Sequence, residues 1–388
     1  MNRLTVMLAI LVTGLIASAA LAQERLPSIG YIYPGGAQRG TTVRVLVGGQ
    51  YLRGITDVHI TGHGVRGKVI KRYDPVRFLN GEQRRELRRQ LLVAGEARWA
   101  ERVEAGEAKG APPWRPGGRK PDLGEPDEPV KLPNHFYFDN IADFSLREIE
   151  HVRHELQNFR KRQPNAQIAE TMLVEITVDL DTEPGPYELR LAGRRGMTNP
   201  MTLFVGQHPE VRELENNNPD SESKLPRPPA LALPVVINGQ VMPGDVDRFR
   251  FKAEAGQKLV IAVQARRLVP FLADAVPGWF QATVAVYDAE GHELAFADDY
   301  RFDPDPVMRF DVPADGEYEL EIRDSIYRGR EDFVYRITVG EVPFVTAIHP
   351  LGGEAGKATQ AEAIGWHLPD SHIALRGADD RPGVHEMA

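Results

Sequence analysis

Six short runs between residues 234 and 339 constrain the fold of this chain more than any other feature. They are Val235–Gln240, Val246–Phe251, Leu259–Val263, Ala282–Tyr287, Glu317–Ile322 and Phe333–Val339. Within them apolar and polar side chains alternate, and glycine, aspartate and proline separate them. A period of two between turn residues marks strands with one face in a core, and several in series make an antiparallel β-sandwich.

Three details of this stretch resemble the bacterial pre-peptidase C-terminal domain. Gly244-Asp245-Val246-Asp247 leads into an aromatic strand, Ala255-Gly256-Gln257 turns after it, and Asp315-Gly316-Glu317-Tyr318 opens a late strand. The resemblance implies a jelly-roll-like sandwich over 233–340. It also implies a module that accompanies secreted peptidases, whose catalytic domain is not in this sequence.

The chain ahead of it has a similar texture. Ile29–Gly36, the turn Gly40-Thr41-Thr42, alternating Val43, Val45 and Val47, and then Gly48-Gly49-Gln50-Tyr51-Leu52 resemble the opening of an immunoglobulin-like domain of the IPT/TIG type. The strands that would complete it come late, at Met172–Val178, Gly185–Leu191 and Met201–Val205. Residues 23–207 therefore read as one sandwich interrupted by an insertion over about 76–166.

The insertion carries a helical period. Leu87, Leu91, Leu92, Trp99 and Val103 form one stripe, and Ile149, Val152, Leu156 and Phe159 form another. Ser145 and Glu148 make a capping box ahead of the second. The expectation is a helical hairpin whose stripes pack on each other, with Gly106 to Pro133 loosely packed between. Residues 208–232, polar and then proline-rich, read as a linker. From 341 the N-terminal pattern returns: Ile348-His349-Pro350, Gly356, Gly365 and Leu368 repeat Ile32-Tyr33-Pro34, Gly40, Gly49 and Leu52 at an offset of 316. A second, incomplete IPT/TIG-like unit is expected over 341–388. The fold class is thus mainly β: two antiparallel β-sandwiches, Ig-like and jelly-roll-like, with a helical-hairpin insertion in the first.

Arg3, the apolar run Leu4–Ala17 and the small-x-small site Ala20-Leu21-Ala22 read as a cleaved secretory signal over 1–22. No later run is apolar enough to span a membrane. Cysteine is absent, which excludes disulfides, thiolate metal sites and cysteine catalysis. A formal charge of −8 argues against non-specific nucleic-acid binding.

Candidate sites are few. Asp298, Asp299, Asp303 and Asp305 form an acidic strand-edge loop, and hard cations such as calcium take carboxylate and carbonyl oxygens from such loops; turn capping or pairing with Arg301 and Arg309 is the alternative. His151-Val152-Arg153-His154-Glu155 has neither zincin order and reads as a solvated helix face. His59 and His63 read as surface turn residues. Arg84, Arg85, Arg88 and Arg89 read as a solvated face. The apolar segment Leu268–Phe280 reads as a plug over one end of its sandwich, with Trp279 buried beside Phe271 or Leu272; as a contact surface it would instead present Phe271 and Trp279. No nucleophile elbow or phosphate loop occurs.

The function expected is that of an exported, non-catalytic binding or adhesion protein, meeting an extracellular glycan, matrix or protein partner, with calcium as the only cofactor in view. A hydrolase, or an accessory part of one, and a structural envelope spacer are the other readings.

Overall fold

The computed structural model describes residues 26–76, 78–114, 128–158, 165–214, 225, 227–270, 279–354 and 357–375. The expected signal sequence, Phe271 and Leu272 lie outside them.

The first sandwich is built from strands β1 (Ser28–Tyr33), β2 (Gly36–Gln38), β3 (Thr42–Gln50), β4 (Ile55–Ile60), β5 (Val65–Tyr73), β6 (Glu170–Val178), β7 (Gly185–Gly193), β8 (Gly196–Met197) and β9 (Met201–Gly206). One sheet runs β1-β3-β6-β5. The other runs β2-β9-β7-β4, with β8 on β7. Their inward side chains, among them Ile32, Val45, Val47, Val174, Ile176, Leu189 and Leu203, form one apolar core.

Strands β5 and β6 are direct partners although almost a hundred residues separate them. The intervening segment holds helices α1 (Gly81–Glu104) and α2 (Leu146–Asn158). As the two stripes suggested, Leu87, Leu91 and Ala94 of α1 pack with Ile149 and Val152 of α2. Asn80 caps α1 through a capping box with Gln83, and Ser145 and Glu148 bond reciprocally at the start of α2.

The second sandwich has strands β10 (Glu210–Arg212), β11 (Val235–Gln240), β12 (Val246–Ala253), β13 (Lys258–Gln264), β14 (Ala282–Tyr287), β15 (Glu293–Ala297), β16 (Val307–Asp311), β17 (Gly316–Asp324) and β18 (Val334–Gly340). Its sheets run β10-β11-β18-β13-β16 and β12-β17-β14-β15 around a core that includes Ile237, Phe251, Ile261, Val284, Leu320 and Ile337. The expected linker is therefore structured at its start: Glu210–Arg212 joins the sheet in parallel with β11.

The two sandwiches share a small core of Tyr31, Ile168, Leu268 and Val334, with Tyr33, Phe204 and Val269 against it. Beside it Arg336 is buried and bonds Glu210 Oε1 at 2.5 Å and Gln264 Oε1 at 3.1 Å.

Strands β19 (Phe344–His349), β20 (Thr359–Trp366) and β21 (His372–Leu375) make a third sheet. Its register repeats that of β1 and β3 pair for pair. Ile29 faces Gly49 as Val345 faces Gly365, and Tyr31 faces Gly48 as Ala347 faces Ile364. Both pairs carry a β-bulge at the same place, Ile29/Tyr31 and Val345/Ala347. The sequence repeat at offset 316 is thus a repeat of strand geometry.

Candidate ligand-binding cleft

A cleft of about 500 Å³ opens where the first sandwich, the insertion and the second sandwich meet. That volume falls within the range of small-molecule sites. Its floor is the outward face of sheet β1-β3-β6-β5. Two cross-strand rows make it: Tyr33, Leu46, Leu173 and Lys71, then Tyr31, Gly48, Thr171 and Tyr73.

Strict alternation would not aim all of these residues outward. Bulges at Ile29/Tyr31 in β1 and Val69/Lys71 in β5 shift the phase of both edge strands of the floor. A bulge adds one residue and re-aims those that follow. Ile29 and Val69 thus face the core, while Tyr31, Tyr33 and Tyr73 face the cleft and Lys71 reaches Asp139 on its wall. At Gly48 a Cβ would lie 2.0 Å from the Tyr31 ring, so only glycine leaves that ring its place on the floor.

One wall is the 3-10 turn Phe136–Phe138. His135 caps it, its Nδ1 accepting from the Tyr137 N–H at 3.3 Å, and its ring stacks on Phe136 at 4.2 Å between centroids. Burial pushes the His135 pKa down to about 3, opposed only in part by Asp139, so the ring is neutral. Asp139 pins this wall to the floor: it accepts from Lys71 Nζ at 2.7 Å and from the Tyr73 hydroxyl at 2.8 Å. Burial, with the Asp139 bond and charge, raises the Tyr73 pKa. Burial raises that of Tyr31 too, helped by the charges of Glu331 and Asp332. Both stay phenols. Helix α2 completes this wall with Glu148, His151 and Glu155, and Tyr137 meets the His151 ring edge-on at 5.4 Å. The opposite wall comes from the second sandwich through Arg212, Glu213, Gln240 and Glu331.

The sequence suggested a solvated His151–Glu155 face; in the structure His151 and Glu155 line the cleft instead. No residue from 151 to 156 is exposed. The helical period identified the side that packs on α1, and the neighbouring side faces the cleft. His63 is an exposed turn residue, as expected; His59 is exposed too, but on strand β4, opposite Arg190.

The acidic loop sits elsewhere. Asp298 and Asp299 are exposed. Asp305 is buried and accepts from the N–H groups of Ala265, Arg266 and Arg267 at 3.1, 2.6 and 3.0 Å. Burial raises its pKa against the pull of those N–H groups. Asp303 pairs with Arg267 at 2.7 Å and accepts from the Asp305 N–H. Asp303 and Asp305 thus cap turns, and the arginine that pairs with Asp303 is Arg267 rather than Arg301 or Arg309, which bond Thr346 O and Asp311 instead. Among the described residues, carboxylates close enough to share one cation occur in two other places. One is the exposed turn Asp288, Glu290 and His292; the other is the buried set Glu213, Asp245 and Asp247.

The plug also needs correction. Leu268 is fully buried, but in the core between the sandwiches rather than over the end of its own. Phe280 enters the second core. Trp279 is 39% exposed, with the Arg266 guanidinium 3.2 Å from its ring centre. Neighbouring residues at this strand entry point to opposite sides, and Phe280 takes the inward one.

Sequence reasoning missed the cleft because its parts are far apart along the chain. Two local signals were present: the aromatic run His135-Phe136-Tyr137-Phe138, and tyrosines at 31 and 33 around the core residue Ile32.

No family model matches the chain. No curated protein matches it either. Among solved structures it is similar to the pre-peptidase C-terminal domain of a collagenase from Bacillus anthracis, at 15% identity over 29% of this chain and 99% of that one, TM-score 0.20. A mixed-linkage glucan utilisation protein of Bacteroides ovatus, SGBP-B, solved with a heptasaccharide, matches at 9% identity over 79% and 73%, TM-score 0.17. The C-terminal domain of the Streptococcus pyogenes protein AspA matches at 8% over 90% and 97%, TM-score 0.17. Likenesses this weak do not bear on what the chain binds. Among the described residues no helix is long and apolar enough to cross a membrane, which says nothing of β-barrels.

Proposed function

We propose that this is an exported, non-catalytic binding protein that captures an extracellular ligand in the cleft between its two sandwiches and its helical insertion. The observation that carries this reading is the floor. A sheet face that could be an ordinary solvated surface instead holds Tyr31, Tyr33 and Tyr73, aimed there by two bulges and roofed by a dedicated insertion. Concave sites with aromatic walls and a few convergent polar groups are the usual form of ligand sites. Export rests on the N-terminal signal pattern. The packed junction at Leu268 would serve a structural spacer equally well, but a spacer needs no cleft.

A hydrolase is the second reading, because Glu148, Glu155, His135 and His151 converge on the same space. Several of these groups already have structural partners. Glu148 caps α2, His135 caps the aromatic turn, and His151 meets the Tyr137 ring.

The test is a screen of the mature protein against arrayed glycans and matrix proteins, repeated with the double variant Tyr33→Ala/Tyr137→Ala. Loss of the hit in the double variant and its retention in Trp279→Ala is expected. The opposite pattern would move the site to the second sandwich. Turnover of chromogenic glycosides or peptides by the parent, abolished by Glu155→Gln, would favour the hydrolase.

A further inference from the structure

The cleft reading can be taken to a ligand class, because the chain contains its own control. Strands β19 and β20 repeat β1 and β3 with the same register and the same bulge. Where the first pair has Tyr31, Tyr33, Leu46 and Gly48, the repeat has Ala347, His349, Glu362 and Ile364. The bulged pair therefore forms without tyrosines and without glycine at the position of Gly48. What the fold requires is present in both copies, such as the glycine at 49 and 365. What differs serves the first copy alone. Tyr31, Tyr33 and the Gly48 that makes room for Tyr31 belong to the cleft rather than to the strand pair.

Tyr31 and Tyr73 are buried at the back of the floor, while Tyr33, Phe136 and Tyr137 are half-buried and present ring surface to the cleft. Six carboxylates line the cleft against Arg44 and Arg212, and several already hold partners: Asp139 accepts from Lys71 and Tyr73, Glu148 from the Ser145 N–H and Glu213 from the Gln240 N–H. A purely apolar ligand would strip water from these charged groups and offer no hydrogen bonds in return, which is costly. A strongly basic ligand would match the carboxylates but meet Arg44 and Arg212, and an anionic one would meet the excess of carboxylates. A neutral ligand that offers one apolar face, and donors and acceptors around its edge, satisfies both requirements. A sugar ring has that form: its C–H face lies on aromatic rings, and its hydroxyls donate to carboxylates and accept from guanidinium groups.

We propose that the cleft binds a short neutral oligosaccharide, with a sugar ring stacked on the aromatic surface of Tyr33, Phe136 and Tyr137. The proposal rests on the binding function above and adds the ligand class.

Four probes test it: cellohexaose, xylohexaose, maltohexaose and chitohexaose, titrated by calorimetry into the mature protein, with hexalysine as the basic comparison. At least one hexasaccharide should bind. Tyr33→Ala and Phe136→Ala should each weaken it at least tenfold, Tyr33→Phe, which keeps the ring, should weaken it less than Tyr33→Ala, and Trp279→Ala should leave it unchanged. Thermal melts of each variant separate lost binding from lost folding. Should a variant not fold, the Tyr137→Ala variant takes its place. Hexalysine binding that depends on Tyr33, with no hexasaccharide bound, overturns the sugar assignment and keeps the cleft. Binding of no probe overturns the sugar assignment, and a full array without a cleft-dependent hit overturns the binding function as well. Equal losses for Tyr33→Phe and Tyr33→Ala would show that the ring does not carry recognition.

Discussion

Leu268 should couple the two sandwiches, and its size can be tested against a single glycine. The side chain is fully buried among Tyr31, Ile168 and Val334, outside both main cores. Across the junction lies Gly35, where an added Cβ would come within 2.7 Å of Leu268 Cδ2. Leu268→Ala removes three carbons from a sealed site, and such changes cost about 2–5 kcal/mol. Two packed bodies can close part of the void by shifting, so about 3 kcal/mol is expected. Gly35→Ala alone overpacks the junction and should cost about 1–2 kcal/mol. Together the new methyl fills part of the space that Leu268→Ala vacates. The double variant should therefore be more stable than the sum of the two losses by about 1–2 kcal/mol, a coupling expected only for residues in contact. Urea unfolding followed by circular dichroism and fluorescence measures all four proteins. The parent should unfold in one transition. Leu268→Ala should resolve two, because each sandwich keeps its own core while the link weakens. A Leu268→Ala protein within about 0.5 kcal/mol of the parent, or strict additivity in the double variant, would refute this account of the junction.

Trp279→Ala should cost less than about 1 kcal/mol, since the ring is partly exposed and stacked on Arg266 rather than in a core; Phe280→Ala should cost about 3–5 kcal/mol in the same melts. His135 has a folded pKa far below that of an unfolded histidine, about 6.5. The unfolded chain therefore binds the proton first: stability is flat above pH 6.5 and falls as pH drops towards 3, by about 2 kcal/mol at pH 5. A His135→Gln variant should lack that loss in urea titrations across pH, and an identical slope in both proteins would remove His135 as its source. Replacing residues 76–166 by a short Gly/Ser loop should leave a cooperatively folding β protein, since closure entropy rises slowly with loop length, but one without cleft-dependent binding; a variant with no unfolding transition would show that the helices complete the first core.

What the sequence determined by itself is what depends on neighbours along the chain. Strand runs, the Ser145/Glu148 capping box, the leucine stripe of α1 and the repeat at offset 316 follow from local period and local hydrogen bonding, and they reappear in the structure. The sequence could not decide which faces meet. Glu155 belongs to a helix face that looked solvated in the sequence and lines the cleft in the structure. Trp279 and Phe280 are equally apolar, and only the entry of β14 sends the second inward. The tyrosines at 31, 33 and 73 reach one surface because bulges in two strands shift their phase, and the partner of one of them, β6, lies almost a hundred residues away. A bulge is a property of a strand pair, and a cleft is a property of three packed bodies. Neither is written in the period of a single segment, so both had to await the tertiary structure.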